Sequence, residues 1–533
     1  MDKPNYRGPV VLVIMDGLGI SSRIEGNAVL KSHTEFLDKC ISDKYVRRLL
    51  DASGEAVGIV AGQMGNSEVG HNTIGCGQII KQGVAKIEDA IQSGAIWQTA
   101  AWQGAIGQLD KDNNTLHFAG IFSDGGVHSD IKHLEVMIQK AIAQGVKKIR
   151  IHAVFDGRDV APNSEPKYIE RIEKFARQFE GADIKIASGG GRMVFIADRY
   201  ENDWGMVELG WRVMFEGKTE NRFQSATSAI GALRKVNPDV QDQYLPAFVI
   251  VDENNNPVGN IKKGDSFIYY DFRGDRAIEI ARAFTEKDFD KFDRGNYNPE
   301  DVFFAGMTEY DSDTHTPANQ LIPPVNFTNT LNQVLSQNGI SQLAISETVK
   351  FGHVTYYFNG NSYEKTPGEE HIEIKSDTIP FTERPWMKSA DLADEILKQI
   401  EQPNAPRFVR VNFPNPDMVG HFADMETTVT AIESMDIALA RIAKKVDELG
   451  GCMVLIADHG NAEELIDENG EPKTSHTTNQ VPFIIYDNTE NRSKYGLAKI
   501  DQPGLSNIAA TIATLLGVEA LPAEWQKSLI VLK

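Results

Sequence analysis

Histidine and aspartate occur together at several places in the second half of the chain, at spacings that suit metal binding. The segment PDMVGH has Asp417 and His421 four residues apart, which would put both side chains on one face of a helical turn. ADHGNAEE contributes the adjacent Asp458 and His459, and SHTTN contributes His476 in a polar loop. Imidazole nitrogen and carboxylate oxygen together suit Mn²⁺, Zn²⁺ or Mg²⁺. Separate structural roles for these residues are the alternative interpretation.

Two polar residues near the start of the chain could join this group. Asp16 directly follows the apolar run VVLVIM, and Ser67 lies among glycines in AGQMGNSEVGH. A serine hydroxyl at a metal site could act as a nucleophile toward phosphorus. The segment matches neither the GxSxG pattern nor the GxxxxGK[ST] pattern of a phosphate-binding loop. A flexible glycine-rich turn is the structural alternative for Ser67, and a helix cap or turn is the alternative for Asp16.

The middle of the chain carries five arginines next to glycine or aspartate in predicted loops. They occur in FDGRD, SGGGR, ADRYENDW and YDFRGDR and are Arg158, Arg192, Arg199, Arg273 and Arg276. Because guanidinium groups pair well with phosphate and carboxylate, their convergence would form a local anion site. Surface pairs between arginine and aspartate are the alternative. His128, in SDGGVHSD, is a weaker candidate because a lone histidine is usually structural or solvated.

The elements that must position these residues are typical of an α/β fold, because short apolar runs alternate with longer segments of helical period. The aspartates of interest follow predicted strands at Val10–Met15, Phe408–Asn412 and Met453–Ala457. Between the last two, apolar residues recur every three or four positions over 425–449, and two glycines follow. This βαβ pattern predicts a parallel sheet, whose strand ends bring polar residues together.

Composition and connecting segments describe a folded acidic protein of several domains. At roughly 100–200 residues per domain, 533 residues predict two to four domains. GCGQIIKQG (75–83) and TPANQLIPPVNF (316–327) have the composition of interdomain connections, which predicts an inserted middle domain. A net charge of −21 argues against binding to nucleic acid or to anionic membranes. Three cysteines without CxxC spacing, and the absence of any long apolar run, predict a cytoplasmic protein.

In order and spacing, these segments resemble the cofactor-independent phosphoglycerate mutase family, within the alkaline phosphatase superfamily. The resemblance covers nearly the whole chain through MDGLG, GNSEVGH, SDGGVHS, DGRD, SGGGR, DRYENDW, FRGDR, SETVKFGHVTYYFNG, NPDMVGH, ADHGNAE and SHTTN. The DRYENDW form is similar to the plant-like branch. The resemblance implies an α/β fold, with an alkaline-phosphatase-like, mostly parallel metal-binding domain over 1–80 and 324–533. A second α/β domain, which binds the substrate, would be inserted over 81–323.

The resemblance also implies roles for the matching residues. One metal ion is expected on Asp417, His421 and His476, and a second on Asp16, Ser67, Asp458 and His459. Ser67 would carry the phosphoryl group, with Lys350 offsetting its charge and Asp159 acting as the base. The expected substrate contacts are His128, Arg158, Asp159, Arg192, Arg199, Arg273, Arg276 and Lys350.

The activity implied by the resemblance is an isomerase of glycolysis and gluconeogenesis that interconverts 3-phosphoglycerate and 2-phosphoglycerate through a phosphoserine. Its cofactors would be two divalent ions, with Mn²⁺ expected and Mg²⁺, Co²⁺ or Zn²⁺ as alternatives, and no 2,3-bisphosphoglycerate. We expect a cytoplasmic monomer with a small-molecule substrate. The alternatives are a metal-dependent phosphatase or phosphopentomutase on the same catalytic core, and a non-catalytic phospho-ligand sensor. The intact Ser67 and the full ligand set argue against the sensor.

Overall fold

The computed structural model of the protein describes residues 3–41, 44–81, 83–199, 201–311, 314–324 and 327–533. The chain divides into two compact units, one of Met1–Gln82 with Asn326–Lys533 and the other of Gly83–Val325. Three positions in the expected connections, residues 82, 325 and 326, lie outside the described residues, as does residue 200 of the DRYENDW segment.

The described strands and α-helices alternate along most of the chain. The strands are β1 (Val10–Met15), β2 (Val46–Leu50), β3 (Leu116–Ile121), β4 (Lys148–Phe155), β5 (Asp183–Gly191), β6 (Arg222–Phe223), β7 (Phe248–Ile250), β8 (Ser266–Tyr269), β9 (Phe303–Gly306), β10 (Gln342–Glu347), β11 (Glu369–Ile374), β12 (Phe408–Phe413), β13 (Cys452–Ile456), β14 (Val481–Tyr486), β15 (Tyr495–Leu497) and β16 (Ile530–Leu532). The α-helices are α1 (Ala28–Lys31), α2 (Glu35–Cys40), α3 (Ser67–Cys76), α4 (Gly83–Ser93), α5 (Ala100–Gly107), α6 (Ile131–Ala143), α7 (Glu165–Ala176), α8 (Trp204–Glu216), α9 (Ala226–Val236), α10 (Ile278–Thr285), α11 (Leu331–Gln337), α12 (Thr348–Gly352), α13 (Ser389–Ile400), α14 (Asn415–Gly420), α15 (Met425–Leu449) and α16 (Ile508–Leu515).

The first unit is built on a seven-stranded sheet in the order β11-β10-β12-β1-β13-β14-β2. Strand β1 lies at its centre, parallel to β12 and β13, and all six of its residues are buried. This burial on both faces explains why its sequence, VVLVIM, is apolar throughout rather than alternating. Helix α15 places Met435, Leu439 and Ile442 in the same core and ends at Gly450, whose φ of +72° suits a glycine cap.

The second unit has its own seven-stranded sheet, in the order β6-β7-β5-β4-β3-β8-β9. Strands β5, β4, β3, β8 and β9 are parallel neighbours, whereas β7 runs antiparallel to β5. Its apolar side chains form two further buried clusters, with Phe118 and Ile151 in one and Phe267 and Trp211 in the other. The unit therefore has a hydrophobic core of its own.

The predicted α/β class with mostly parallel sheets is confirmed. The strands predicted before the aspartates are present, with ends that differ from the prediction by one residue at most. Strand β2, with the sequence VRRLL, was not predicted because two arginines interrupt its apolar residues. Among the described helices, none has the length and hydropathy that crossing a bilayer requires.

Candidate functional site

Four neighbouring parallel strands of the first unit, β10, β12, β1 and β13, are each followed by a predicted site residue, which is a metal ligand after three of them and Lys350 after β10. Asp16 comes directly after β1, and Asp458 and His459 come just after β13. Asp417 lies in α14, just after β12, and Lys350 lies in α12, just after β10. Because parallel strands end at one edge of the sheet, these side chains meet there.

Ser67 reaches the same edge because it is the first residue of α3. The Asn66 side chain caps this helix by accepting a hydrogen bond from the Val69 backbone N–H. Gly70 lets the helix pack closely, since a Cβ atom there would lie 2.8 Å from the Asp458 carbonyl oxygen. The glycines around Ser67 therefore place the serine against the Asp458 loop rather than make a flexible turn.

The Ser67 hydroxyl is buried among charged groups. Its Oγ lies 2.9 Å from His459 Nε2 and 3.2 Å from Asp16 Oδ1. Lys350 Nζ donates to Ser67 Oγ at 2.5 Å and to Asp417 Oδ2 at 2.8 Å. The lysine ammonium thus connects the serine oxygen with the carboxylates on both sides of it.

Each of the three histidines directs Nδ1 toward a backbone carbonyl oxygen. The distances are 2.7 Å from His421 to Thr474, 2.9 Å from His476 to Gly65 and 3.3 Å from His459 to Gly460. Because a carbonyl can only accept a hydrogen bond, Nδ1 carries the hydrogen in all three rings. The Nε2 atoms are left to face the carboxylates, as in histidines that bind metals through Nε2.

The donor atoms of these residues fit divalent cations. His421 Nε2 and His476 Nε2 lie 3.1 Å apart, and they lie 3.3 and 3.2 Å from Asp417 Oδ1. Three lone pairs this close repel one another unless a cation or a proton lies among them. A second set of donor atoms, from Asp16, Asp458 and His459, lies within 4.8 Å of one another, and Ser67 Oγ adjoins it. This set provides the mixed nitrogen and oxygen ligands that Mn²⁺ and Zn²⁺ accept.

The carboxylates dominate the electrostatics of this cluster. Burial acts to lower the pKa of His459, but Asp458, Asp16 and Asp417 outweigh it and raise the pKa to about 10. Burial likewise acts to lower the pKa of Lys350, and the same three aspartates hold it above its ordinary value. Without a bound ion the cluster thus holds protons, and a cation would compete with the proton on His459.

Two buried residues that the sequence analysis did not select link the carboxylates. The Asn412 side-chain N–H₂ donates to Asp16 Oδ2 at 2.6 Å and to His71 Nε2 at 3.1 Å. His71 Nδ1 in turn donates to the Ser67 carbonyl oxygen at 2.8 Å and lies 3.2 Å from Asp458 Oδ2. The sequence signals were a histidine four residues after Ser67 in one helix and an asparagine near the end of a buried strand.

In the second unit the predicted substrate residues also follow parallel strands. His128 lies in the loop after β3, Asp159 in the loop after β4 and Arg192 directly after β5. Arg192 Nη1 donates to Asp156 Oδ1 at 2.7 Å and to Asp159 Oδ2 at 2.6 Å. Its Nη2 donates to His128 Nε2 at 2.8 Å. Arg192 therefore joins three loops, and Asp156 is a member that the sequence analysis missed.

The other four predicted arginines of this unit differ in their contacts and in their exposure. Arg276 is 3% exposed, and its Nη1 donates to the Ala197 carbonyl oxygen at 2.7 Å. The guanidinium groups of Arg199 and Arg273 lie 3.4 and 3.5 Å from Asp275 Oδ2. Arg158 is exposed, in the loop that also carries Asp159. Asp275 was not selected from the sequence, although an acidic residue between two arginines in FRGDR was a visible signal.

The chain is similar to known metalloenzymes along nearly its full length. The metalloenzyme superfamily matches residues 8–520. A probable 2,3-bisphosphoglycerate-independent phosphoglycerate mutase of Leptospira interrogans is 44% identical, over 98% of this chain and 97% of its own length. A 2,3-bisphosphoglycerate-independent phosphoglycerate mutase of Trypanosoma brucei brucei is 39% identical, over 98% of this chain and 97% of its own. The structure of Leishmania mexicana phosphoglycerate mutase at low cobalt concentration has 40% identity and a TM-score of 0.70, with 100% of both chains covered.

Proposed function

This chain belongs to the 2,3-bisphosphoglycerate-independent phosphoglycerate mutase family, and we propose that it interconverts 3-phosphoglycerate and 2-phosphoglycerate through a phosphoserine at Ser67. The observation that carries the proposal is the position of Ser67 Oγ, at the start of a helix, 2.5 Å from the Lys350 ammonium and beside a carboxylate-rich cluster. A helix N-terminus and an ammonium group both stabilise the negative charge of a phosphorylated serine.

Two divalent ions are part of the proposal. Asp417, His421 and His476 would hold one ion, and Asp16, Ser67, Asp458 and His459 would hold the other. When bound, such ions lower the pKa of the serine hydroxyl and offset charge on the phosphoryl oxygens. Mn²⁺ is the ion that we propose, with Mg²⁺, Co²⁺ or Zn²⁺ as alternatives. A cytoplasmic location, a monomeric state and independence from 2,3-bisphosphoglycerate belong to the same proposal.

The first half-reaction transfers the phosphoryl group to the protein. Ser67 Oγ attacks phosphorus in line, a new P–O bond forms, and the bond between phosphorus and the 3-oxygen of glycerate breaks. Lys350 stays protonated, because its carboxylate neighbours raise its pKa, and it therefore offsets oxygen charge rather than removing a proton. The Ser67 hydroxyl loses its proton before the attack and the departing 3-oxygen takes up one proton, so the products are phosphoserine and glycerate.

The second half-reaction returns the phosphoryl group to the other hydroxyl of glycerate. Arg192, Arg199, Arg273 and Arg276, with Arg158, would hold the glycerate carboxylate while the molecule turns. Asp159, fixed by its hydrogen bond from Arg192, would take the proton from the 2-hydroxyl. The 2-oxygen then attacks phosphorus, the bond between phosphorus and Ser67 Oγ breaks, and Ser67 regains a proton as Asp159 releases the one it took.

One assay tests the proposal. Purified protein with added Mn²⁺ and 3-phosphoglycerate, without 2,3-bisphosphoglycerate, is followed for 2-phosphoglycerate and free phosphate together. We expect 2-phosphoglycerate with little phosphate. Phosphate alone would indicate the phosphatase alternative, and no turnover at any metal tested would favour the sensor.

A further inference from the structure

Asp275 occupies a central position among the charged groups of the second unit. It lies in the short turn after β8, between Arg273 and Arg276, and its side chain is 14% exposed. Its Oδ1 lies 3.3 Å from His128 Nδ1, and its Oδ2 lies 3.4 Å from Arg199 Nε. Arg273 Nη2 lies 3.5 Å from the same Oδ2. One carboxylate thus faces a histidine and two arginines.

Arg192, on the opposite side of the His128 ring, determines which ring nitrogen carries the hydrogen. Arg192 Nη2 lies 2.8 Å from His128 Nε2, and a guanidinium group can only donate hydrogen bonds. Nε2 must therefore present its lone pair, which places the ring hydrogen on Nδ1. Asp275 Oδ1 lies 3.3 Å from Nδ1 without forming a hydrogen bond to it, and the negative charge of the carboxylate favours a hydrogen on that nitrogen, so both sides of the ring favour one tautomer.

Arg192 connects His128 to Asp159. Arg192 uses Nη2 for His128 and Nη1 for Asp159 Oδ2, at 2.6 Å. If His128 carried its hydrogen on Nε2, two N–H groups would point at each other and Arg192 would have to move. Asp159 would then lose the hydrogen bond that orients its carboxylate.

We propose that Asp275 is a positioning residue that keeps His128 in the Nδ1–H tautomer and thereby lets Arg192 hold Asp159 in place. This inference rests on the proposed function, because it assigns Asp159 as the base of the second half-reaction. Asp275 also opposes the charge of Arg199 and Arg273.

The direct test is the tautomer of His128, measured by NMR on protein labelled with ¹⁵N-histidine, with His128→Gln to assign the signals. In the wild-type protein we expect a hydrogen on Nδ1 and a lone pair on Nε2. Asp275→Ala should give a mixed or reversed tautomer. Asp275→Asn keeps the shape of the side chain and removes its charge, so it should shift the tautomer in the same direction as Asp275→Ala. Asp290→Ala, an exposed aspartate of the same unit, is the matched control.

Kinetics supply the second readout. For Asp275→Ala we expect kcat to fall about tenfold, since a positioned base contributes about 10²–10⁴-fold and misplacement forfeits part of it. The ratio of free phosphate to 2-phosphoglycerate should rise. The phosphoserine would persist longer before its phosphoryl group returns to glycerate, and water can hydrolyse it in that time. Circular dichroism checks the fold of each variant.

Several outcomes would overturn the inference. A hydrogen on Nε2 of His128 in the wild-type protein would do so without any variant. An unchanged tautomer and an unchanged product ratio in a folded Asp275→Ala protein would do so as well. Absence of mutase activity in the wild-type protein would instead contradict the proposed function, and the tautomer measurement would still decide whether Asp275 orients His128.

Discussion

The polar clusters of the two units are built in the same way but concentrate charge of opposite sign. In both units, loops after neighbouring parallel strands carry the charged side chains. In the first unit, Asp16, Asp417 and Asp458 surround a single lysine, so carboxylates are in excess. In the second unit, Arg192, Arg199, Arg273 and Arg276 lie near the carboxylates of Asp156, Asp159 and Asp275, so arginines are in excess. The first cluster is therefore suited to cations and the second to anions.

This difference shows that net charge says little about individual sites. A chain with a net charge of −21 still gathers an arginine cluster in one unit. The architecture supplies the edge where loops meet, and the residue types in those loops set the sign of the potential. In the proposed function, the first cluster acts on the phosphoryl group and the second cluster holds the carboxylate.

Removal of the nucleophile should have the largest effect and should be confined to the chemistry of the first cluster. For Ser67→Ala we expect mutase turnover to fall by at least about 10³-fold, as when a covalent nucleophile is lost. Binding of 3-phosphoglycerate, measured by calorimetry, should persist because the arginines remain. Ser493→Ala, an exposed serine of the same unit, is the control. Substantial turnover in Ser67→Ala would contradict the phosphoserine assignment.

Removal of an arginine from the second cluster should affect retention of glycerate more than attack by Ser67. For Arg273→Ala and Arg276→Ala we expect a mutase rate lower by about 10–100-fold, the loss typical of a charged contact of about 1.5–3 kcal/mol. The ratio of free phosphate to 2-phosphoglycerate should rise. Arg282→Ala, which removes a guanidinium of α10 that pairs with Glu201 and Glu286, is the control. Equal loss of both products would mean that these arginines do not hold the turning intermediate.

Loss of the His71 contacts should weaken metal binding without touching the second cluster. Substitution of a residue that orients metal ligands costs about 10–100-fold in metal affinity, and we expect His71→Ala to fall in that range. His71→Asn should lose less, because its amide can replace the Nδ1–H donor to the Ser67 carbonyl oxygen. Calorimetric titration of metal-free protein with Mn²⁺ measures the effect. An affinity equal to that of the wild type in His71→Ala would show that His71 has no such role.

The pH dependence of activity should change with metal concentration, because the proton-binding histidine belongs to the first cluster. Neighbouring carboxylates raise the pKa of His459, so lower pH favours the proton over the metal at Nε2. Activity should therefore fall as pH drops below roughly 7, and tenfold more Mn²⁺ should move this acid limb down by up to about one pH unit per competing proton. Rates between about pH 5.5 and 8.5 at several Mn²⁺ concentrations measure it. If the pH at which activity falls did not change with Mn²⁺ concentration in folded protein, protons and metal would not compete at His459.

Much of the fold and of both clusters could be predicted from the sequence. The apolar run VVLVIM predicted the strand Val10–Met15, and the spacing of apolar residues predicted α15 as far as Gly450. Asp417 and His421, four residues apart, do approach each other at 3.3 Å. These predictions succeeded because the periodicity of strands and helices acts over a few residues and is written directly in the chain.

The sequence by itself determined which residue types stand at the strand ends, and so the sign of each cluster. Only the tertiary structure decided which of those residues touch, because His128, Arg192 and Asp275 follow three different strands whose order in the sheet is set by non-local pairing. The tautomer of His128 depends on both neighbours at once, and no local pattern contains that information. The role of Asp275 became visible only when β3, β5 and β8 came together in one sheet.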